Sequence, residues 1–308
     1  MSIYTKQLII QIQACIRGFL FRKNRWKQKG PIIMKMPTET SHIIKEKTKI
    51  TNEQMKTLFK NYSPVNDDIP VSSVQLGFPN QAEYRGEWNE KLKERHGRGI
   101  QIWVDNTMYL GQWRHDKAEG KGKIIHSNGE YYEGDFVNDQ AEGYGKYMHK
   151  DGSYYEGQWK KDLQDGKGTE TWPNKVRYKG EFRDGKKNGR GKLTLSDGSC
   201  YEGSFLNNQI HGYGKYTWSN KNQYNGQFNN QKMEGEGEFK WFNGGSYKGH
   251  FYDDEKNGYG EFTWPNGKRY RGMWKNGKRH GEGEVYSLST KEWKKGYWSD
   301  GKRVRWNN

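Results

Sequence analysis

The sequence predicts an all-β repeat fold: an elongated single-layer antiparallel sheet of stacked β-hairpins, preceded by an α-helical N-terminal arm. Three observations predict it. A phrase Tyr-x-Gly-x-(Trp/Phe), followed about ten residues later by Gly-x-Gly, returns along most of the chain with a 23-residue step. The chain is only 31% hydrophobic, yet 15% aromatic with 40 glycines. That composition suits a thin structure whose buried surface comes mainly from rings. Finally, the apolar residues of the N-terminal stretch recur at helical spacing.

The 308 residues leave room for one to three domains. Cys15 and Cys200 make neither a disulfide framework nor a zinc site, which fits a reducing compartment. No run of about eighteen apolar residues is present, so no membrane span is expected. Gln11, Gln13 and Arg17 interrupt the N-terminal apolar stretch, which argues against a secretory signal. The formal charge is +16. Residues 1–60 hold 13 Lys+Arg against 3 Asp+Glu, so most of the basic excess sits there. The rest has the mixed charge of a solvated face.

Residues 1–30 are the first segment, with one helix from about Tyr4 to Gln28. Leu8, Ile12, Cys15, Ile16, Phe19 and Leu20 share its apolar face, and Gly30 and Pro31 stop it. Lys6, Arg17, Arg22, Lys23 and Arg25 carry the other face. Residues 31–74 read as a linker. Thr51 to Gln54 starts a short helix with Met55, Leu58 and Phe59 on one side. A helix that short needs a partner surface. Pro64, Pro70 and the 66–68 Asn-Asp-Asp cluster mark the end of the linker.

Within the first helix, Ile12-Gln13 and Arg17-Gly18, followed by Arg22, match the pattern IQxxxRGxxxR. The stretch resembles an IQ motif, whose members bind calmodulin or centrin-like EF-hand proteins. The resemblance implies that Ile12 and Ile16 lie in a hydrophobic groove and that Gln13 bonds partner backbone. Gly18 would allow close approach, and Arg17 and Arg22 would meet acidic groups. Two other readings stay open: a basic helix that packs on the chain's own repeats, and a mitochondrial presequence.

Residues 75–301 carry the repeats. The lead tyrosines are Tyr84, Tyr109, Tyr132, Tyr155, Tyr178, Tyr201, Tyr224, Tyr247 and Tyr270. Each is followed two residues later by Gly and four later by a ring, as at Trp88, Trp113, Trp159, Phe182 and Trp274. Residues 293–298 are a truncated tenth copy, and 302–308, with Arg303, Arg305 and Trp306, read as a polar cap. In a strand, residues i, i+2 and i+4 share a face. Tyr, Gly and ring therefore share one side, while residues such as Lys179 and Glu181 face away. Gly258, Gly260, Phe262 and Trp264 share a side of the other strand. Hairpin turns are expected at Asn128-Gly129, Asp151-Gly152, Asp197-Gly198, Asn243-Gly244 and Asn266-Gly267. Longer polar loops, such as Arg183 to Asn188, would join the hairpins. About eighteen strands at roughly 4.8 Å imply a ribbon on the order of 80–90 Å long.

These copies resemble MORN repeats. The resemblance implies a non-enzymatic scaffold, and the MORN proteins of ciliary axonemes and radial spokes point to the cytoplasm, cytoskeleton or axoneme. The lead rings would then form a structural and interaction face. Family members associate through repeats, so a homodimer is open. Acidic membrane lipid is the alternative partner, through the basic arm, although Met1-Ser2 and the C-terminus carry no lipidation signal. Nucleic acid is disfavoured, because the charge is not gathered on a groove-reading module. The eight His and the carboxylates follow repeat positions, so no catalytic, metal or cofactor site is expected. No helix follows Gly-x-Gly, so it is a packing device rather than a nucleotide loop.

Overall fold

The computed structural model describes residues 57–60, 62, 64, 70–78 and 82–307. The expected IQ helix, with Ile12, Gln13, Ile16, Arg17, Gly18 and Arg22, lies outside the described residues, as does most of the short helix expected from Thr51. The chain divides into two units. The first takes residues 57–173 with the turn 182–185, and the second takes 174–181 and the residues from 186 onward.

The first unit contains β1 (Ser72–Gly77), β2 (Glu83–Asn89), β3 (Glu94–Ile102), β4 (Met108–Arg114), β5 (Lys117–Ile125), β6 (Tyr131–Val137), β7 (Gln140–Met148), β8 (Tyr154–Lys160) and β9 (Leu163–Thr171). Each pairs antiparallel with the next. Then follows β10 (Arg177–Arg183). The second unit continues with β11 (Lys186–Thr194), β12 (Cys200–Leu206), β13 (Gln209–Thr217), β14 (Gln223–Asn229), β15 (Lys232–Lys240) and β16 (Ser246–Tyr252). It ends with β17 (Glu255–Thr263), β18 (Arg269–Lys275), β19 (Lys278–Tyr286), β20 (Trp293–Ser299) and β21 (Lys302–Trp306). From β11 onward the pairing is again sequential and antiparallel. The described residues thus hold 21 strands rather than the expected eighteen. β1 forms at the end of the expected linker, and β21 forms in the expected polar cap.

The turns reverse the sequence expectation. Arg183 to Asn188 is no long loop: β10 ends at Arg183, β11 starts at Lys186, and only Asp184 (φ 49°) and Gly185 (φ 70°) lie between them. Asn138 (φ 49°) with Asp139 (φ 68°), and Asn207 (φ 49°) with Asn208 (φ 72°), do the same. Two consecutive positive φ values match the twist of the flanking strands, and Asn and Asp tolerate them. The Asn-Gly and Asp-Gly pairs instead sit in wider connections, such as 126–130 between β5 and β6. There His126 N donates to Glu130 O and Gly129 N donates to His126 O, both at 2.8 Å.

The second residue of each tight turn fastens the previous repeat. Asp139 N donates to Ala118 O at 3.0 Å, and Ala118 N donates back to Asp139 Oδ1 at 2.7 Å. Asp162 with Ala141, Asn208 with Lys187 and Asp254 with Met233 repeat this exchange. A bulge in each repeat, as between Gly203 and Phe205, frees backbone groups of the facing strand. The turn side chain satisfies one of them, which a buried backbone group requires.

The lead tyrosines form the core of each unit. Tyr84, Tyr155, Tyr178, Tyr224, Tyr247 and Tyr270 are fully buried, and Tyr109, Tyr132 and Tyr201 nearly so. Each ring lies across the glycines of the next strand. Tyr201 covers Gly214, whose Cα in turn lies beside Gly203. The hydroxyl still finds a partner: Tyr109 Oη donates to Gln112 O at 2.8 Å, and Tyr224 Oη to Gln227 O at 2.9 Å. The rings meet edge to face from repeat to repeat. Tyr201, for example, sits 5.2 Å from Phe205 and 5.3 Å from Phe228, the arrangement their quadrupoles favour.

The opposite face of the first unit has a core of its own. Phe59 is buried against Ile100, Met108, Leu110 and Ile125, with Leu58, Tyr62, Ile102 and Tyr131 around it. Leu58 and Phe59, at the described end of the stretch expected to be helical, thus have a partner surface. Phe59 and Tyr62 sit 5.8 Å apart, edge to face.

Candidate interaction surface

Burial gives the lead rings a structural place. Tyr84, Tyr109, Tyr132, Tyr155, Tyr178, Tyr201, Tyr224, Tyr247 and Tyr270 are closed to solvent, as are Trp113, Trp159, Phe182 and Trp274; Trp88 is half-buried. Trp113, Trp159 and Trp274 spend their indole N–H on Gly99, Gly145 and Gly260 carbonyls at 3.0–3.1 Å. A partner has little of these rings to touch.

The same face offers a second line of rings further along β13, β15 and β17 and into the connection after each. In the second unit this line runs Tyr216, Trp218, Phe239, Trp241, Phe262, Trp264. Consecutive ring centroids are 4.6, 5.1, 4.5, 5.2 and 4.6 Å apart. The last five are half-buried, so each keeps part of its ring toward solvent. Trp218, Phe239 and Trp241 line a cleft of about 570 Å³, walled by Met233, Phe251 and Lys256.

Lys256 is the unusual wall. Its ammonium stands 4.5 Å from the Trp274 ring centre, 5.1 Å from Phe262 and 5.7 Å from Trp241 and Tyr247. Burial pushes the amine down to about 8. Ring faces compensate part of that cost by attracting the cation. Asp254, nearby, is occupied by Met233 N, and burial raises its carboxyl above the usual range. A second cleft of about 680 Å³ is lined by Arg279, Lys294, Trp298, Arg303 and Trp306. Arg303 stacks on Trp306 at 4.1 Å, and Arg279 Nη2 donates to Gly301 O at 2.9 Å. Apolar rings flanked by a few cations can take an extended apolar chain bearing acidic groups.

The corresponding line in the first unit mixes rings with polar groups: Trp103, Tyr147 and Trp172 stand among Gln101, His126, His149 and Glu170. Glu130 accepts from Tyr147 Oη at 3.0 Å and Asn128 Nδ2 at 2.9 Å, with His149 beside it. His149 first, and these other donors against the effect of burial, hold its carboxyl down to about 2. Burial lowers the His126 imidazole. Sequence reasoning put Phe262 and Trp264 on one side of their strand but did not extend the line to Trp218, Phe239 and Trp241, and it missed Lys256. The signal was present: the Lys256 position is apolar at Ala118, Ala141, Ile210 and Met233, polar at Gln164, and basic at Arg95, Lys187, Lys256 and Arg279.

Among solved structures, the chain is similar to the TCP domain of SAS-4 (dCPAP) of Drosophila melanogaster, solved with a proline-rich motif of Ana2 (dSTIL). Identity is 12%, over 59% of this chain and 91% of that one, with a TM-score of 0.28. A streptogramin B lyase matches at 8% identity over 78% and 87% of the two chains, with a TM-score of 0.15. Virginiamycin B lyase from Staphylococcus aureus matches at 8% over 77% and 88%, with a TM-score of 0.14. Likeness this slight carries no argument. No curated protein matches the chain. The MORN repeat profile, in contrast, matches residues 84–108, 109–131, 132–154, 155–177, 178–200, 201–223, 224–246, 247–269 and 270–286 in unbroken succession. With repeats over about two thirds of its length, this chain belongs to the MORN-repeat family.

Proposed function

We propose that the chain is a non-enzymatic interaction scaffold of the ciliary axoneme or cytoskeleton. In this reading the aromatic line of the second unit holds an extended segment of a partner protein, and the Ile12–Arg22 stretch recruits a calmodulin-like or centrin-like light chain. One observation carries it: a row of half-buried rings, Trp218 to Trp264, lies open along a face whose neighbouring rings are closed. Rings held ready at low conformational cost are what binding surfaces use. The light-chain part rests on the IQ resemblance, and the axonemal part on the resemblance to radial-spoke MORN proteins.

Peptide display against the full chain tests the cleft. Enriched peptides should combine apolar and acidic residues and lose binding to a Trp218→Ala/Trp241→Ala chain. Peptides that bind both chains equally contradict the cleft. Calmodulin and centrin pull-downs test the arm: Ile12→Glu/Arg17→Glu should abolish recovery, and equal recovery removes the IQ reading. Attachment to acidic membranes is the second reading, favoured by the 13 Lys+Arg of residues 1–60. Flotation with phosphatidylserine vesicles at physiological salt separates the two, since a protein-bound scaffold stays with the protein fraction.

A further inference from the structure

The repeat supplies its own reference for what each position ordinarily does. Just before Gly-x-Gly, four copies carry a carboxylate that reaches the tight turn of the next hairpin. Glu119 accepts from Asn138 N at 3.0 Å, Glu142 from Lys161 N at 3.0 Å, Asp165 from Asp184 N at 3.2 Å and Glu234 from Asp253 N at 3.3 Å. In the first copy this position is His96, and the turn it faces carries His115. His115 N approaches His96 Nδ1 only at 3.5 Å, the longest contact of the set. His96 thus turns the lone pair of Nδ1 toward the turn while being almost fully buried.

Two residues before His96 stands Glu94; a carboxylate returns at this position at Glu255, but there Asn257 and Asn276 stand in place of His96 and His115. Glu94 Oε1 lies 2.8 Å from His115 Nδ1, and the two imidazoles meet edge to face at 5.4 Å. The ligating atoms of Glu94, His96 and His115 all fall within 4.8 Å of one another. The adjacent cation is engaged elsewhere. Arg95 bonds Asp116 Oδ1 at 2.5 Å and Gln101 Oε1 at 3.1 Å, and it stacks over Trp113 at 4.0 Å.

We propose that Glu94, His96 and His115 form a binding site for a zinc-class divalent cation. Two imidazoles and one carboxylate are a donor set that zinc takes with a water in the fourth position. Donors at about 2.0–2.1 Å from the ion stand roughly 3.4 Å apart. The side chain of His115, half-exposed on its turn, swings inward to close that distance. The ion replaces the Glu94–His115 hydrogen bond and fastens β3 to the following turn, where the copies with Glu119, Glu142, Asp165 and Glu234 use a carboxylate cap.

Metal-free full-length chain, titrated with Zn²⁺ against a chromophoric chelator, tests the site. One equivalent should be held. His115→Asn keeps the turn, since Asn stands there at Asn138, Asn207 and Asn230, and should weaken binding by at least about tenfold. His211→Ala, a histidine at the position of His96 but facing Asn230, should leave it unchanged. Co²⁺ in the same site should give the intense visible bands of a four-coordinate ion. A chain that holds no equivalent, equal loss in His115→Asn and His211→Ala, or the weak spectrum of six-coordinate Co²⁺ each overturns the proposal. Circular dichroism of the metal-free His115→Asn chain confirms that lost binding is not lost folding.

Discussion

Individual glycines do different things, and substitution should separate them. A Cβ at Gly214 would collide with Oη, Cε2 and Cζ of Tyr201, whose ring is buried and cannot retreat. At Gly198 (φ 83°) a Cβ meets nothing within 4 Å, and only backbone strain opposes it. Gly214→Ala should therefore cost about 3 kcal/mol or more, and Gly198→Ala about 1–2 kcal/mol, both read from denaturant unfolding. The Tyr–Gly packing was legible, because the two recur in register at every copy. Lys256 was not, because its charge reads as surface until the rings around it are placed. Its amine is lowered to about 8 from an ordinary 10.5. Between those pH values the unfolded chain binds more protons than the folded one, so stability rises with pH across the window and is lowest below it. Lys256→Met should remove that rise. The gain in unfolding free energy from pH 7 to pH 9.5 should shrink by on the order of 2 kcal/mol relative to the parent chain.

At the scale of elements, the segment 57–62 is the least repetitive part of the described chain and the best test of its packing. Leu110 and Ile100 stand where other copies carry charge, as at Glu133, Glu156, Lys123 and Lys146. That departure was readable, and it marks where Phe59 seats. Phe59→Ala should destabilise the first unit by about 3–5 kcal/mol. Hydrogen exchange should then quicken in β3 to β5 and stay unchanged in β14 to β18. The turns were misread for a physical reason. Both connections in a repeat are rich in Asn, Asp and Gly, and composition alone does not say which is two residues long. The distinction comes from the exchange between Asp139 and Ala118, or Asp254 and Met233, which links residues 21 apart.

For the molecule as a whole, the ring core sets an alkaline limit. Burial raises the phenols of Tyr84, Tyr109, Tyr132, Tyr155, Tyr201, Tyr224 and Tyr247, and moves Tyr270 up to about 12. Unfolded tyrosines ionise near pH 10 while the folded ones keep their protons. Stability is therefore intact below pH 10 and falls above it, by about 1.4 kcal/mol per pH unit for each such ring. Ionisation of the buried lead tyrosines, followed by their ring-carbon NMR signals, should coincide with loss of the β-sheet signal in one cooperative step above that pH. Lead tyrosines that ionise while the sheet persists would show that their rings are accessible after all. The architecture was legible from the period and the Tyr-Gly-ring spacing. The binding surface was not, because the rings that define the repeat are spent on folding and the open ones fall at positions that vary between copies. The claim that those open rings hold a partner is tested most directly by tagged chain in detergent-extracted axonemes of a ciliated cell. The parent chain should be retained, and Trp218→Ala/Trp241→Ala should be released into the soluble fraction. Equal retention of the two, or a parent chain that leaves with the membrane, contradicts it.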